Sequence, residues 1–451
     1  MSPIFDEEPK MHFAFMAWGR QAEPMSQTNT PNRSRRAWSC FFALLAAIQV
    51  AAGQLAVETD FEGASAKVVA IEQQERTIRF EPGGDPSGGW PSWWNFRIRG
   101  ARPGEPITLR LRAPKAVIPQ TTYTWLKNKP LSLDWSAPKR AAWSVDGGSW
   151  QRTEPGARDG EWMVYQIVST MDPVEVAWGP TYTPSRSERF AKACAEKFPA
   201  MVKAESLCRS RGGRSVPLLR IAEGPPARRR AIWIHARQHA WESGSSWVAQ
   251  GFTEWLLGGT PEAIWLRQHH EFIVVPVMDV DHVADGQGGK EAVPHDHNRD
   301  WSDQPHWPEV AAAQAAMKSL IEDGRLAAYI DLHNPGPNTR GVQFHTPPDE
   351  GTKKGQRAAI NRFHALARTH LATVMPVDEA PLKSGADYDP TWRRMSHSWV
   401  AAHAPESTLP VCVETPWNIA QSSQEGYRKM GAAIGVTIYH YFHKASAGRS
   451  R

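Results

Sequence analysis

Residues 231–257, AIWIHARQHAWESGSSWVAQGFTEWLL, decide how the chain is read. AIWIHA is a near-continuous apolar strand, and the pattern after Glu242 predicts a helix over 244–257. Between them, RQHAWE sets His239 three residues before Glu242. A strand apolar along its whole length is buried on both faces, as parallel strands covered by helices are. The same alternation extends outward. Strand-like VPLLRIA precedes the stretch, and FIVVPVMD, AAYIDLH, GVQFHT and LPVCVETP follow it. Helical patterns fall over 308–322, 353–371, 394–403 and 424–443. Together they predict an α/β sheet with helices on both faces. A further helix is expected over 187–205, and the run Arg228-Arg229-Arg230 reads as the exposed tip of a hairpin between VPLLRIA and AIWIHA.

Upstream the texture changes. From about 55 to 178, short pieces such as TIRFEP, WWNFRIRG, ITLRLRA and YQIVST alternate apolar and polar residues between Gly and Pro clusters. This predicts an antiparallel β-sandwich. Nine tryptophans fall there, Trp90, Trp93 and Trp94 among them. They either fill the sandwich core and a domain interface or stack on sugars. A Pro-rich hinge, GPTYTPS, separates the two textures. The expected division is a leader over 1–53, a sandwich over 54–180, an α/β domain over 181–445 and a disordered tail over 446–451.

The chain has 451 residues, a formal net charge of +5 and well-dispersed charges. No aromatic or basic stripe accompanies the Arg228–Arg230 run, so no nucleic-acid partner is expected. Arg33, Arg35 and Arg36 precede WSCFFALLAAIQVAAG, which reads as a signal peptide cleaved near Ala52. The run is short for a membrane span and carries the polar Gln49. Export, to a periplasm or beyond, is the expectation. Cys40 would leave with the leader. Cys194 and Cys208 then either pair in an oxidising compartment or remain two buried thiols. With no Cys-x-x-Cys, a thiolate zinc site is not expected.

Spacing alone does not make His239 and Glu242 a site, because His306/Glu309 and His403/Glu406 share it. Position separates them. Ligands in open α/β sheets gather where strands end in loops. His239 and Glu242 follow a strand, Asp331 and His333 end one, and Glu414 ends another. Asp296, Asn298 and Arg299 lie in the loop after FIVVPVMD. His306 and His403 follow no strand and read as surface residues. Two histidines and a carboxylate suit Zn²⁺, leaving a coordination position open for water.

These residues carry a resemblance. His239-x-x-Glu242, Asp296-x-Asn298-Arg299, His333 after a strand and Glu414 near the C-terminus stand in the order of the M14 zinc carboxypeptidases. ARQHAWE looks like the ARxHPGE of the cytosolic-carboxypeptidase-like branch, DHNRDW is similar to the family's D-x-N-R-x-W, and LCRSRGGRSVPLLRI resembles the entry to the catalytic domain. That branch also has an N-terminal β-sandwich. The resemblance implies a mixed-sheet carboxypeptidase domain with one zinc per chain, held by His239, Glu242 and His333. It makes Glu414 the general base. Asn298 and Arg299 would hold the substrate's terminal carboxylate, for which a guanidinium fork is suited. Asp296 would accept the free N–H of His239.

Three departures stand out. The family's oxyanion arginine is missing, and Lys290 occupies roughly its place, as a point charge rather than a fork. The Pro-Gly of H-P-G-E is replaced by Ala240-Trp241, which puts bulk beside the metal. The family's mobile tyrosine is matched to Tyr388. The expected activity is removal of C-terminal residues from peptides. Two alternatives use the same chain: a zinc deacylase of N-acyl amino acids, whose substrates also bear a free carboxylate, and a non-catalytic glycan-binding protein.

Overall fold

The buried strands around 231–257 build one mixed sheet of eight. In space their order is Val202–Arg209, Ser215–Ile221, His270–Val275, Arg230–Ala236, Leu326–His333, Leu409–Glu414, Gln343–Thr346 and Leu382–Lys383. This is a computed structural model. It describes residues 53–86, 88–118, 121–224 and 229–447, with side chains through 443. The expected signal peptide lies outside the described residues. So do residues 448–451 of the expected tail, whereas 446 and 447 belong to the helix Gln424–Ala447.

The middle of the sheet is parallel. Arg230–Ala236 runs parallel to His270–Val275 on one side and to Leu326–His333 on the other, and Leu326–His333 runs parallel to Leu409–Glu414. All eight residues of Leu326–His333 are buried, which accounts for the apolar run of AAYIDLH, interrupted only by Asp331 and His333. Helix Ser243–Leu256 crosses Gln424–Ala447 closely. A Cβ on Gly251 would stand 2.2 Å from the Arg428 carbonyl oxygen, and one on Gly431 would stand 2.1 Å from that of Val248. Only glycine permits that approach.

Two expectations are corrected here. The helix expected over 187–205 is Pro184–Lys197, and Val202–Arg209 is an edge strand. Pro199 has no N–H to continue the helix and restricts the residue before it, so the chain breaks there. The strands flanking Arg228–Arg230 do not form a hairpin, because His270–Val275 lies between them. Residues 225–228 lie outside the described residues. Arg229 is held back on the body, its Nε donating to the Gln268 carbonyl and its Nη2 to that of Glu223.

Residues 55–178 form two five-stranded sheets. All strand pairs in them are antiparallel except Thr77–Glu81 with Pro106–Arg112. Ile78, Phe80, Trp94, Phe96, Leu109 and Ile167 are buried between them, the inward-facing set expected from alternation. Trp93, Trp94 and Trp178 join the same apolar cluster, together with Trp241 and Trp417 from the larger sheet's loops. The core-and-interface reading of the tryptophans therefore holds for these. Trp125 is the large exposed one, at 50%.

Trp178 is the pin of this junction. Its ring lies 5.2 Å from Trp241 and 4.4 Å from Trp417, and its Nε1 donates to the Trp135 carbonyl at 3.0 Å. Trp178→Ala removes a buried indole and strands that carbonyl, so we expect a loss of about 3–5 kcal/mol in denaturant unfolding. A loss below about 1 kcal/mol would mean that the junction closes without it.

Candidate metal centre and active site

Three parallel strands end at one place. His333 and Glu414 are register partners on adjacent strands, and His235 pairs with Asp331 one pleat earlier. The chain leaving Arg230–Ala236 turns at once into the segment carrying His239 and Glu242. Arg237 takes a left-handed φ of 67° to make that turn, a strained conformation for a branchless but bulky residue. Its buried guanidinium holds the turn from beneath, donating from Nε to the Ala240 carbonyl at 2.6 Å and from Nη1 to that of Tyr182 at 3.2 Å. Glu242 then stands at the residue before helix Ser243–Leu256, without a side-chain hydrogen bond capping it.

The expected ligands come together. The Nδ1 atoms of His239 and His333 each lie 2.7 Å from a different oxygen of the Glu242 carboxylate. All three residues are buried. The other ring nitrogens face carboxylates: His239 Nε2 is 3.5 Å from Asp296 Oδ1, and His333 Nε2 is 3.0 Å from Asp331 Oδ2. Each imidazole thus has a carboxylate behind it and Glu242 in front, the arrangement that fixes a ligating histidine's tautomer. Burial alone would raise the Glu242 carboxyl, but His239 and His333 hold it below its ordinary value. Burial would likewise raise Asp296, and Lys290 and His239 hold it well below the usual carboxylate range.

Glu414 stands apart from this hydrogen-bonded set. Its Oε2 is buried with no hydrogen-bond partner. Burial, with the negative charges of Glu242 and Asp331, pushes its carboxyl up to about 8 against the pull of His333 and Lys290. It shares the lining of a cavity of ≈ 170 Å³ with His239, Glu242, Lys290 and Tyr388. Tyr388 is 41% exposed there.

Lys290 is engaged from behind as well. Its Nζ lies 3.5 Å from Asp296 Oδ2 and 3.4 Å from His239 Nε2. Asn298 accepts from the Ser396 N–H at 3.0 Å, and its Nδ2 lies 3.4 Å from His333 Nε2. Arg299 donates from Nε to Asp389 at 2.8 Å and from Nη1 to the Asn298 carbonyl at 3.0 Å. It lines a different cavity, of ≈ 270 Å³, together with Asp296, rather than the one with Glu414. The bulk expected at Trp241 borders the first cavity, with its ring also packed on Trp135 and Trp178. That gives the departure from Gly a reason: the side chain fills the junction with the sandwich.

Sequence reasoning assigned no role to Asp331. Its Oδ2 accepts from Gln238 at 2.7 Å and Ser396 at 2.6 Å while facing His333. The signal was present, since residues two apart on a strand share a face. The sandwich's share of the site was also missed. Trp90, Tyr123, Trp125 and Trp135 supply an aromatic wall of the cavity. Glu291 fastens it, accepting from Trp90 Nε1 at 3.0 Å, from the Thr122 N–H at 2.8 Å and from the Thr121 hydroxyl. Cys194 and Cys208 are free thiols, so of the two readings the unbonded one stands; Cys194 is buried and Cys208 only partly so.

Residues 187–317 match the peptidase M14 family, described as zinc carboxypeptidase, and residues 57–178 match the cytosolic carboxypeptidase N-terminal domain. Human cytosolic carboxypeptidase 2 is 27% identical over 259 residues, covering 53% of this chain and 28% of that protein. Its Danio rerio counterpart is 26% identical over 268 residues, covering 53% and 35%. The chain thus spans about a third of the length of these curated relatives. A metallo-carboxypeptidase from Burkholderia cenocepacia shares the fold, with a TM-score of 0.71 at 22% identity over 87% of this chain and 99% of that one. One from Pseudomonas aeruginosa, solved with (2-guanidinoethylmercapto)succinic acid, gives 0.66 at 20% identity over 85% and 98%.

The expectation of export is overturned by the same findings. Residues 57–178 match the N-terminal domain of cytosolic carboxypeptidases, and the relatives are named cytosolic carboxypeptidases, neither of which is an exported type. Arginines before an apolar run were a local signal, and the domain type outweighs it. Among the described residues, no helix is long and apolar enough to cross a membrane.

Proposed function

The chain carries a peptidase M14 domain behind an N-terminal domain of the cytosolic carboxypeptidase type, and on that premise we propose that it removes residues from the C-terminus of peptides. We read residues 54–180 as the sandwich domain and 181–445 as the catalytic one. The observation that carries the proposal is the convergence of His239 and His333 on the two Glu242 oxygens, both at 2.7 Å, with the unpartnered Glu414 lining the same cavity.

Two imidazole nitrogens and a carboxylate, each imidazole backed by Asp296 or Asp331, fit a zinc ion by donor type. A zinc ion held there supplies Lewis-acid polarisation and makes water more acidic. The chain's own groups do the rest. Glu414 takes a proton from the attacking water on a carboxylate oxygen and delivers it to the leaving amine nitrogen as the C–N bond breaks. Lys290 offers positive charge to the oxygen on which negative charge develops. Arg299 and Asn298 bind the terminal carboxylate, with Asp389 orienting the guanidinium through Nε. Tyr388 closes over the substrate from the cavity mouth. The aromatic wall around Tyr123 and Trp125 excludes water and narrows entry to a chain end.

The test is a mixed peptide library supplied to the zinc-loaded protein, each peptide as free acid and as C-terminal amide, with products read by mass. Stepwise trimming of the free acids alone is the expected result. Cleavage of amides at equal rate would remove Arg299 from its role, and no cleavage of either with zinc bound would end the peptidase reading.

A further inference from the structure

A second convergence of ligating side chains lies in the loops beside the first. Asp279 accepts from the His282 N–H at 3.1 Å, and His282 returns its Nδ1 to within 2.9 and 2.8 Å of the two Asp279 oxygens. His297, from the short turn His297–Arg299, places its Nδ1 3.5 Å from Asp279 Oδ2. Its Nε2 lies 3.5 Å from Glu309 Oε2. Asp279, His297 and Glu309 are each 1% exposed and His282 6%. Yet neither ring nitrogen of His297 nor Glu309 Oε2 has a hydrogen-bond partner. Buried polar atoms go unpaired at a cost unless something else satisfies them.

The distances suggest what does. A separation of 3.5 Å is long for a hydrogen bond. Two ligands on one tetrahedral ion, each bonded at about 2.0–2.1 Å, stand about 3.3 Å apart, which the His297–Asp279 pair approaches. The shorter His282–Asp279 contact is a hydrogen bond that an ion would replace. One ligand atom from each of Asp279, His282 and His297 lies within 4.8 Å of the others. We propose that Asp279, His282 and His297 form a second metal site, which takes a divalent transition ion, zinc foremost. Two imidazoles and a carboxylate suit that class over Mg²⁺ or Ca²⁺, which prefer all-oxygen shells. Glu309 Oε2 faces the far nitrogen of His297 at 3.5 Å, on the side from which Asp331 faces His333 at 3.0 Å, and would close on it once the ring is held by an ion. Trp307 fixes both ring planes, stacked on His297 at 4.8 Å and 10°, and edge-on to His282 at 5.4 Å and 77°.

The site is closed to solvent, so its role is to staple rather than to catalyse. It ties the segment 279–284 to the turn bearing Asn298 and Arg299, and through Glu309 to the start of helix Pro308–Glu322. This inference stands independently of the peptidase reading, and the count of one zinc per chain covers only the first cluster.

Full-length protein is stripped with chelator and titrated with Zn²⁺ alone, and bound metal is counted by elemental analysis after desalting. Wild type is expected to keep two equivalents, His282→Gln/His297→Gln one, and His239→Gln/His333→Gln the other one. A single equivalent in wild type that His239→Gln/His333→Gln loses would overturn the site, as would an unchanged count in His282→Gln/His297→Gln. Should that last variant fail to fold, the first two counts decide alone. Two equivalents without peptide trimming would leave the second site standing and end only the peptidase reading.

Discussion

Glu414→Gln keeps the shape of the cavity and is expected to lower kcat by about 10²–10⁴-fold, the range of a positioned acid–base group. Metal content and unfolding behaviour of the zinc-loaded protein should match wild type, since Glu414 is not among the converging ligand atoms. The acid limb of the pH–rate profile should vanish with it, because Glu414 accepts a proton only when ionised. Its stability signature runs the other way. Without metal, burial raises Glu414 from its ordinary 4.5 to about 8. Between those values the folded chain holds a proton that the unfolded chain has lost, so stability falls as pH rises through that window. Metal-free Glu414→Gln should lack this fall. A variant that hydrolyses peptides within a few-fold of wild type would remove Glu414 from the mechanism.

Glu242→Gln should be as damaging for a different reason. The carboxylate sits between two histidines, and a neutral amide cannot balance a cation held by them. One equivalent of bound metal and all measurable hydrolysis should be lost, as read by elemental analysis and by a C-terminal trimming assay. Proton competition gives a second reading. Burial lowers the His333 imidazole, but Asp331 and Glu242 outweigh it and hold it well above its ordinary value in the metal-free protein. The ion must displace that proton, so wild-type affinity should drop as pH is lowered. Tight metal at this cluster together with retained activity in Glu242→Gln would exclude it as a ligand.

Much of the fold was legible in the chain because buried parallel strands announce themselves locally. AIWIHA and AAYIDLH needed no partner to be recognised, and the helices over 308–322 and 353–371 fall where periodicity put them. His239, Glu242, His333 and Glu414 were found because each follows or ends a strand. What stayed hidden depends on long-range pairing. Nothing near Glu291 announces that it receives Trp90 and Thr122 from the sandwich. His297 occupies the variable position of Asp296-x-Asn298-Arg299, and His282, three residues beyond FIVVPVMD, has no glutamate at the spacing that marked His239. Among 17 histidines, only packing shows that these two meet. Residues 202–205 of the strand Val202–Arg209 were read as the end of the preceding helix, because an edge strand this exposed carries no buried apolar run to mark it.

The Trp178 junction also sets an order on synthesis. Chains are made from the N-terminus and domains tend to fold as they emerge. The sandwich leaves the ribosome with Trp178 uncovered; Trp241 comes later, and Trp417 only near the end of translation. In that interval the indole face is sticky apolar surface, of the kind that chaperones hold until the last strand and helix arrive.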